Sequence, residues 1–127
     1  MPFLWRMDDW RCLEGVVDLA LIDSTDRRLF ILDWKTDRVP PDSPDTLRRR
    51  YLSQLAAYWK AVGEITGFEI TTAIYSTAAG ELIRYPSGEL EKEWTRIAQL
   101  PVEKFDQQIV SSIPQSAAET RQQLELF

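Results

Sequence analysis

The segments GVVDLALI, residues 15–22, and FILDWKT, residues 30–36, decide how the rest of the chain is interpreted. Both are rich in β-branched and aromatic residues, and the short segment between them is polar, so they predict two strands joined by a hairpin. Because side chains alternate along a strand, Asp33 and Lys35 are expected on one face, roughly 6.5 Å apart along it. Asp18, in the neighbouring strand, can face them across the hairpin.

The charged side chains of this hairpin allow two interpretations. Charges are costly to bury unless they are paired or bound to metal. Asp18, Asp33 and Lys35 could be surface residues that form ordinary salt bridges on a half-solvated sheet. Alternatively, the two carboxylates and the Trp34 carbonyl could hold a hard divalent cation, with Lys35 beside a scissile phosphate. Metal-assisted phosphodiester cleavage needs the second arrangement.

A helix is predicted from Pro44 to about Ile65. Gln54 and Tyr58 are four residues apart and therefore share one face of this helix. Tyr58 could equally be one more core aromatic, whereas a polar residue such as Gln54 beside an apolar stripe needs a partner. The apolar residues that recur at helical spacing are Leu47, Tyr51, Leu55, Tyr58, Trp59 and Val62.

Three motifs occur in order along the chain: Gly-x-x-Asp at residues 15–18, Asp-x-Lys-Thr at residues 33–36 and Gln-x-x-x-Tyr at residues 54–58. Together they resemble the PD-(D/E)XK nuclease superfamily. The resemblance is closer to the RecB/AddAB-type exonuclease domains, which are often fused to UvrD-like helicases. It extends from about residue 3 to residue 85, and it favours the metal-site interpretation of the hairpin.

The resemblance implies hydrolysis of DNA phosphodiester bonds with Mg²⁺ or Mn²⁺ as the cofactor. Asp18 and Asp33 would bind the cation, helped by the carbonyl of Trp34. Lys35 would polarise the phosphate or hold the attacking water.

The remaining motif and the wider function also follow from the resemblance. Gln54 and Tyr58 would orient the metal-bound water or the DNA backbone. The reaction would be of the exonuclease type and would serve DNA repair or recombination. A helicase is the expected partner besides DNA.

The fold implied is an α/β, restriction-endonuclease-like core with a mixed central sheet of about five strands flanked by helices. The predicted order is three strands, one helix, a strand, a short strand and C-terminal helices, the first of which Ser87 would cap. We assign residues 1–113 to this domain and residues 114–127 to a flexible, polar tail.

In the family, a first helix often supplies a His or Glu metal ligand. We expect this helix to be missing here, because residue 1 falls at the edge of the predicted first strand, and the chain has no histidine. Another chain could supply the ligand, water could replace it, or the site could be impaired. The alternative function is therefore a non-catalytic binding or assembly module of a DNA-processing complex. A missing helix could also leave one sheet face bare, which would favour either a helicase or a homodimer as partner.

Composition limits the remaining choices. The net charge of −5 is unfavourable for DNA binding, but Arg48, Arg49 and Arg50 could contact phosphate beside the site; alternatively, they form a solvated helix face. Cys12 is the only cysteine, which excludes the iron–sulfur variant of this branch. With no signal peptide or membrane-length apolar run in the sequence, we expect a cytoplasmic location.

The last five residues are Gln123, Leu124, Glu125, Leu126 and Phe127. They resemble the short peptide by which bacterial DNA-processing proteins bind the sliding clamp, with Glu125 where a smaller polar residue is usual. A tail carrying this peptide would tether the nuclease near its substrate. The alternative is that the three apolar residues cap the domain's own core.

Overall fold

A four-stranded mixed sheet forms the centre of the computed structural model, which describes residues 1–9, 11–37 and 44–110, apart from the side chain of the last of these. The α/β class and the mixed sheet are confirmed. In chain order the elements are β1 (Pro2–Arg6), β2 (Cys12–Val16), β3 (Leu19–Asp23), β4 (Arg28–Lys35), α1 (Pro44–Thr66), β5 (Glu69–Ser76), β6 (Glu81–Tyr85), α2 (Ser87–Ala98) and α3 (Val102–Val110).

The strands divide into two sheets, so the central sheet has four strands where about five were expected. Its order is β3-β4-β5-β6, in which β4 and β5 run parallel and the outer pairs are antiparallel. The helix α1 makes the crossover that the parallel pair requires. The other two strands, β1 and β2, form a separate antiparallel pair.

The division arises at Val17 and Asp18, where the predicted strand 15–22 is interrupted. The Val17 N–H donates to the carbonyl of Met1 at 2.8 Å, whereas the Asp18 N–H donates to the side chain of Asp33 at 3.1 Å. The Val17 N–H thus bonds to the residue that precedes β1, whereas the Asp18 N–H bonds to a side chain of β4. The residues before the break pair with β1, and those after it pair with β4.

The predicted hairpin turn lies between β3 and β4. Oδ1 of Asp23 accepts hydrogen bonds from the N–H groups of Thr25 and Asp26 at 3.1 and 3.2 Å, which is the Asx geometry that favours aspartate in turns. The pairing then runs from Asp23 opposite Arg28 to Leu19 opposite Leu32.

The prediction for α1 is confirmed to within one residue at its C-terminal end. Proline suits the first helical position because it lacks the N–H that would be unpaired there. At the other end, Gly67 has a φ of 69° and its N–H donates to the carbonyl of Gly63 at 2.8 Å, which is a left-handed cap. The buried positions include Leu47, Tyr51, Leu55, Tyr58 and Val62, as the helical spacing predicts.

The core consists of α1 packed on one sheet face, with α2 and α3 packed on α1. The buried sheet residues include Leu29, Ile31, Ile70, Ile74 and Ile83, and the later helices contribute Leu90, Ile97 and Phe105. The opposite sheet face presents Leu21, Trp34 and Leu82, which are 57%, 46% and 45% exposed. Within the described ranges, no helix combines the length and apolar character that a membrane crossing needs.

The cap of α2 differs from the prediction. Pro86 occupies the N-cap position, Ser87 is already helical, and no side chain caps the helix by a hydrogen bond. The N–H groups of Glu89 and Leu90 instead both bond to the Pro86 carbonyl, at 3.1 and 3.2 Å. The proposed clamp-binding residues Gln123, Leu124, Leu126 and Phe127, and the domain boundary at residue 113, lie outside the described residues.

Candidate active site

The two candidate metal-binding carboxylates lie beside each other at the junction of β3 and β4. The hairpin prediction placed Asp18 inside a strand, but Asp18 precedes β3 and is exposed. Its backbone N–H donates to Asp33 and does not take part in the strand pairing. Its Oδ2 accepts a 2.9 Å hydrogen bond from the Trp34 N–H, while Asp33 Oδ1 accepts from the Asp18 N–H. Each carboxylate is therefore held by a backbone amide of the other's segment.

Lys35 shares the buried face of β4 with Asp33, as the alternation predicts. Asp33 is 4% exposed and Lys35 is 8% exposed. The Lys35 Nζ lies 3.8 Å from Asp33 Oδ2 and donates a 3.0 Å hydrogen bond to Gln54 Oε1. The ammonium is thus buried but compensated by a carboxylate and an amide oxygen.

The third motif reaches this pair from α1. Gln54 is 6% exposed and Tyr58 is 7% exposed. Four residues separate them, so both lie on one helical face, and Gln54 Nε2 is 3.5 Å from the Tyr58 hydroxyl. Since Gln54 also accepts from Lys35, one row of polar contacts runs from Asp33 through Lys35 and Gln54 to Tyr58.

The glycine of the first motif makes room for Tyr58. A Cβ placed on Gly15 would lie 2.8 Å from Cε1 and Cζ of the Tyr58 ring and 2.9 Å from Cζ of Phe3. The Phe3 and Tyr58 rings themselves meet edge to face, with their centroids 5.0 Å apart. Only glycine allows β2 to approach this aromatic pair so closely.

Burial governs the protonation of the charged pair. It raises the pKa of the Asp33 carboxyl above 3.8, although the Asp18 N–H and the Lys35 ammonium act in the opposite direction. Burial also lowers the pKa of Lys35 below 10.5, and the carboxylates of Asp33, Asp18 and Asp37 oppose that shift. A cation bound between the carboxylates would favour the ionised form of Asp33.

The donors present fit a hard divalent cation. Magnesium is commonly held by one or two carboxylates, with waters and substrate phosphates completing its coordination. Asp18 and Asp33 supply two carboxylates, and Trp34 lies between Asp33 and Lys35 along β4. The described part of the chain contains no group of three or more His, Cys, Asp or Glu side chains that could hold a metal.

The three consecutive arginines have different surroundings. Arg48 pairs with Glu89 of α2, and its guanidinium lies 5.4 Å from the centroid of the Tyr85 ring. Arg50 pairs with Asp37 at 2.7 Å. Arg49 is exposed, and no ion pair involving it occurs among the described residues. Two of the three proposed phosphate contacts are therefore engaged within the chain.

Tyr51 and Asp37 lie near Lys35, although the motifs do not include them. The Lys35 Nζ lies 4.1 Å from the centroid of the Tyr51 ring, and the Tyr51 hydroxyl donates to Asp37. Tyr51 appears in the sequence only as one position of the apolar stripe of α1. A polar role for Tyr51 could have been inferred from its hydroxyl and from the carboxylate of Asp37, two residues after Lys35.

Comparison with known proteins agrees with the motifs. The sequence model of the PD-(D/E)XK nuclease superfamily matches residues 3–126. No solved structure matches the chain.

Two related proteins, both ATP-dependent helicase/nuclease subunits, align with about half of this chain. The one from Carboxydothermus hydrogenoformans is 41% identical over 58 residues, which are 46% of this chain and 5% of that protein. The one from Anoxybacillus flavithermus is 39% identical over 67 residues, which are 50% of this chain and 5% of that protein. The expected resemblance to nuclease domains of helicase–nucleases is thereby confirmed, while the chain spans a small part of these relatives.

Proposed function

Since this chain belongs to the PD-(D/E)XK nuclease superfamily, we propose that it is a divalent-metal-dependent deoxyribonuclease of the exonuclease type. The observation that carries the proposal is the row of buried contacts from Asp33 through Lys35 to Gln54, with Asp18 bonded to Asp33 at its open end. All three motifs thus converge on one place, although 15 residues separate Asp18 from Asp33 and 19 separate Lys35 from Gln54.

Each residue of the row has a role in the proposed reaction. Asp18 and Asp33 would hold Mg²⁺ or Mn²⁺, with the Trp34 carbonyl as a further ligand. When bound, the cation would stabilise the negative charge on the phosphate and lower the pKa of a water. Lys35 places a positive charge beside the scissile phosphate, where charge increases in the transition state.

Gln54 and Tyr58 support these groups from α1. The amide oxygen of Gln54 keeps the flexible lysine side chain in one position, and its amide nitrogen faces Tyr58. Residues in such a supporting layer keep the reacting groups in a productive geometry. Arg49 remains the best candidate of the arginine run for contact with DNA phosphates, because it is exposed and no ion pair within the described residues engages it.

We further propose that the chain acts with a helicase in cytoplasmic DNA repair or recombination. Two observations support a protein partner: the similarity to helicase/nuclease subunits, and the exposed Leu21, Trp34 and Leu82 on one sheet face. Apolar surface of this kind favours association. A homodimer through the same face is the simpler alternative, and sedimentation of the chain as a monomer would exclude it.

A second candidate function is a non-catalytic module that assembles a DNA-processing complex. One observation favours it: within the described residues, the two carboxylates have no third metal-binding side chain beside them.

Hydrolysis of a fluorescent DNA in Mn²⁺, and separately in EDTA, distinguishes the two candidates. If the chain is a nuclease, the wild type should cleave in Mn²⁺ alone, and Asp18→Ala and Asp33→Asn should lose cleavage. Asp26→Asn, in the exposed turn between β3 and β4, is the matched control and should cleave normally. Absence of metal-dependent cleavage by the wild type would support the non-catalytic module, whereas unchanged cleavage by both site variants would overturn the assignment of Asp18 and Asp33.

A further inference from the structure

Lys35 contacts an aromatic ring whose own orientation is fixed by a buried carboxylate. The Tyr51 side chain is fully buried, and its ring centroid lies 4.1 Å from the Lys35 Nζ. Its hydroxyl donates to the Asp37 carboxylate, with Oδ1 at 2.8 Å and Oδ2 at 2.7 Å. The ring face is thus available to a cation while the hydroxyl is anchored.

Asp37 is itself held in place. Its side chain is 7% exposed, and Oδ2 also accepts a 2.7 Å hydrogen bond from Arg50 Nη1. A buried carboxylate is stable only when such donors compensate its charge. Arg50, Asp37, Tyr51 and Lys35 therefore form a row of contacts that links the segment after β4 to α1.

A lysine side chain needs this kind of support because its four-carbon stem is flexible and its ammonium is a point charge without fixed directionality. Gln54 and Asp33 contact the ammonium through a hydrogen bond and an ion pair. An aromatic face attracts a cation without competing for its hydrogen-bond donors. The ring can therefore fix the position of Nζ while a donor stays available for a phosphate.

We propose that Asp37 and Tyr51 are positioning residues that hold the Lys35 ammonium in its place beside Asp33 and Gln54. The inference rests on the proposed function, in which Lys35 acts on the scissile phosphate. Arg50 belongs to the same row, because its Nη1 donates to the Asp37 carboxylate.

Kinetics of the full chain test the effect on the reaction. Asp37→Asn weakens the anchor of the ring, and Tyr51→Phe keeps the ring but removes its bond to Asp37. Each should lower kcat by about 10- to 100-fold, the usual effect of removing a supporting residue, and should leave KM nearly unchanged. Tyr85→Phe is the matched control, because Tyr85 is also buried and its hydroxyl donates to the Arg48 carbonyl at 2.7 Å.

Nuclear magnetic resonance of the full chain tests the contact without reference to activity. The sequence has four lysines, so selective ¹³Cε labelling gives few signals. The ε protons of Lys35 lie near the face of the Tyr51 ring and should be shifted upfield. Asp37→Asn and Tyr51→Phe should move this signal towards the other lysines, whereas Tyr85→Phe should leave it in place.

The two measurements separate failure of the inference from failure of the proposed function. An upfield Lys35 signal that responds to Asp37→Asn, in a chain without nuclease activity, would support the contact and overturn the proposed function. The inference is overturned if the Lys35 signal lies with those of the other lysines in the wild type. It is also overturned if Asp37→Asn and Tyr51→Phe leave both the signal and kcat unchanged.

Discussion

The backbone N–H of Asp18 donates a 3.1 Å hydrogen bond to Oδ1 of Asp33. The Asp18 carboxylate in turn accepts from the Trp34 N–H, so the two acids are tied to each other through the main chain. This arrangement depends on the register of β3 and β4, in which Leu19 lies opposite Leu32. A shift of one residue would turn Asp33 to the opposite sheet face and separate the pair.

Gly15→Ala should destabilise the fold, because it crowds the Tyr58 ring directly. The new Cβ would come within 2.8 Å of the buried Tyr58 ring, so the ring or β2 must move. Overpacking of this kind typically costs about 1–3 kcal/mol of unfolding free energy. Denaturant unfolding measures the cost, and Gly88→Ala, where a Cβ meets no atom within 4 Å, is the control. Equal stability of Gly15→Ala and the wild type would contradict the close contact.

Gln54→Leu should reduce the rate of DNA cleavage by about 10- to 100-fold, because it removes the oxygen that accepts from Lys35 while nearly keeping the side-chain volume. Single-turnover cleavage in Mn²⁺ measures the effect. Ser53→Ala alters the neighbouring buried residue of α1 and should cleave at the wild-type rate. A Gln54→Leu variant as fast as Ser53→Ala would show that Lys35 does not depend on this bond.

Tyr51 and Tyr85 should resist alkaline titration. Burial raises the pKa of Tyr51 above 10.0, with a further contribution from Asp37, and burial also raises the pKa of Tyr85. Tyr51 and Tyr85 should therefore contribute to the absorbance change only at a pH above the ordinary range of tyrosine titration. Asp37→Asn should lower the pKa of Tyr51 alone, and a titration curve that Asp37→Asn does not alter would contradict the contact.

The raised pKa values of Tyr51 and Tyr85 also make the free energy of unfolding depend on pH. The folded state holds the protons of Tyr51 and Tyr85 more tightly than the unfolded state does. Their contribution to the free energy of unfolding is fully present below pH 10.0 and is lost as the pH rises towards the folded-state pKa.

Thr72→Val should stabilise the chain. Thr72 in β5 is fully buried, and its hydroxyl oxygen has no hydrogen-bond partner in the described part of the chain. Replacing an unpaired buried hydroxyl by a methyl group of similar size should raise the free energy of unfolding by about 1 kcal/mol. Thermal unfolding of the two proteins measures the difference, and a lower melting temperature for Thr72→Val would indicate that the hydroxyl has a partner.

The elements with strong local patterns were predictable from sequence. The helix from Pro44 and the alternation that places Asp33 beside Lys35 follow from periodicity within one segment. The break at Val17 and Asp18 could not be predicted in this way, because residues 15–22 have the pattern of one uninterrupted strand. Its cause is a hydrogen bond to a side chain 15 residues away, which no local pattern records.

The surroundings of the basic residues show the same limit. A run of three arginines beside a proposed nuclease site suggests phosphate binding, but Arg48 pairs with Glu89 and Arg50 with Asp37. Both partners come from other elements of the chain. Tyr51 likewise has the spacing of a core residue and is one, yet its hydroxyl reaches Asp37, which only the packing of α1 against the end of β4 brings close.

Thermal unfolding in saturating Mn²⁺, compared with EDTA, tests most directly whether Asp18 and Asp33 form a cation site. Binding to the folded state alone adds about 2.7 kcal/mol at a concentration of 100 Kd, which is a rise of several degrees in Tm. We predict this rise in the wild type and in Asp26→Asn, and its loss in Asp33→Asn and Asp18→Asn, each compared with its own EDTA baseline. An equal rise in Asp33→Asn, or none in the wild type, would contradict a cation site at these two carboxylates.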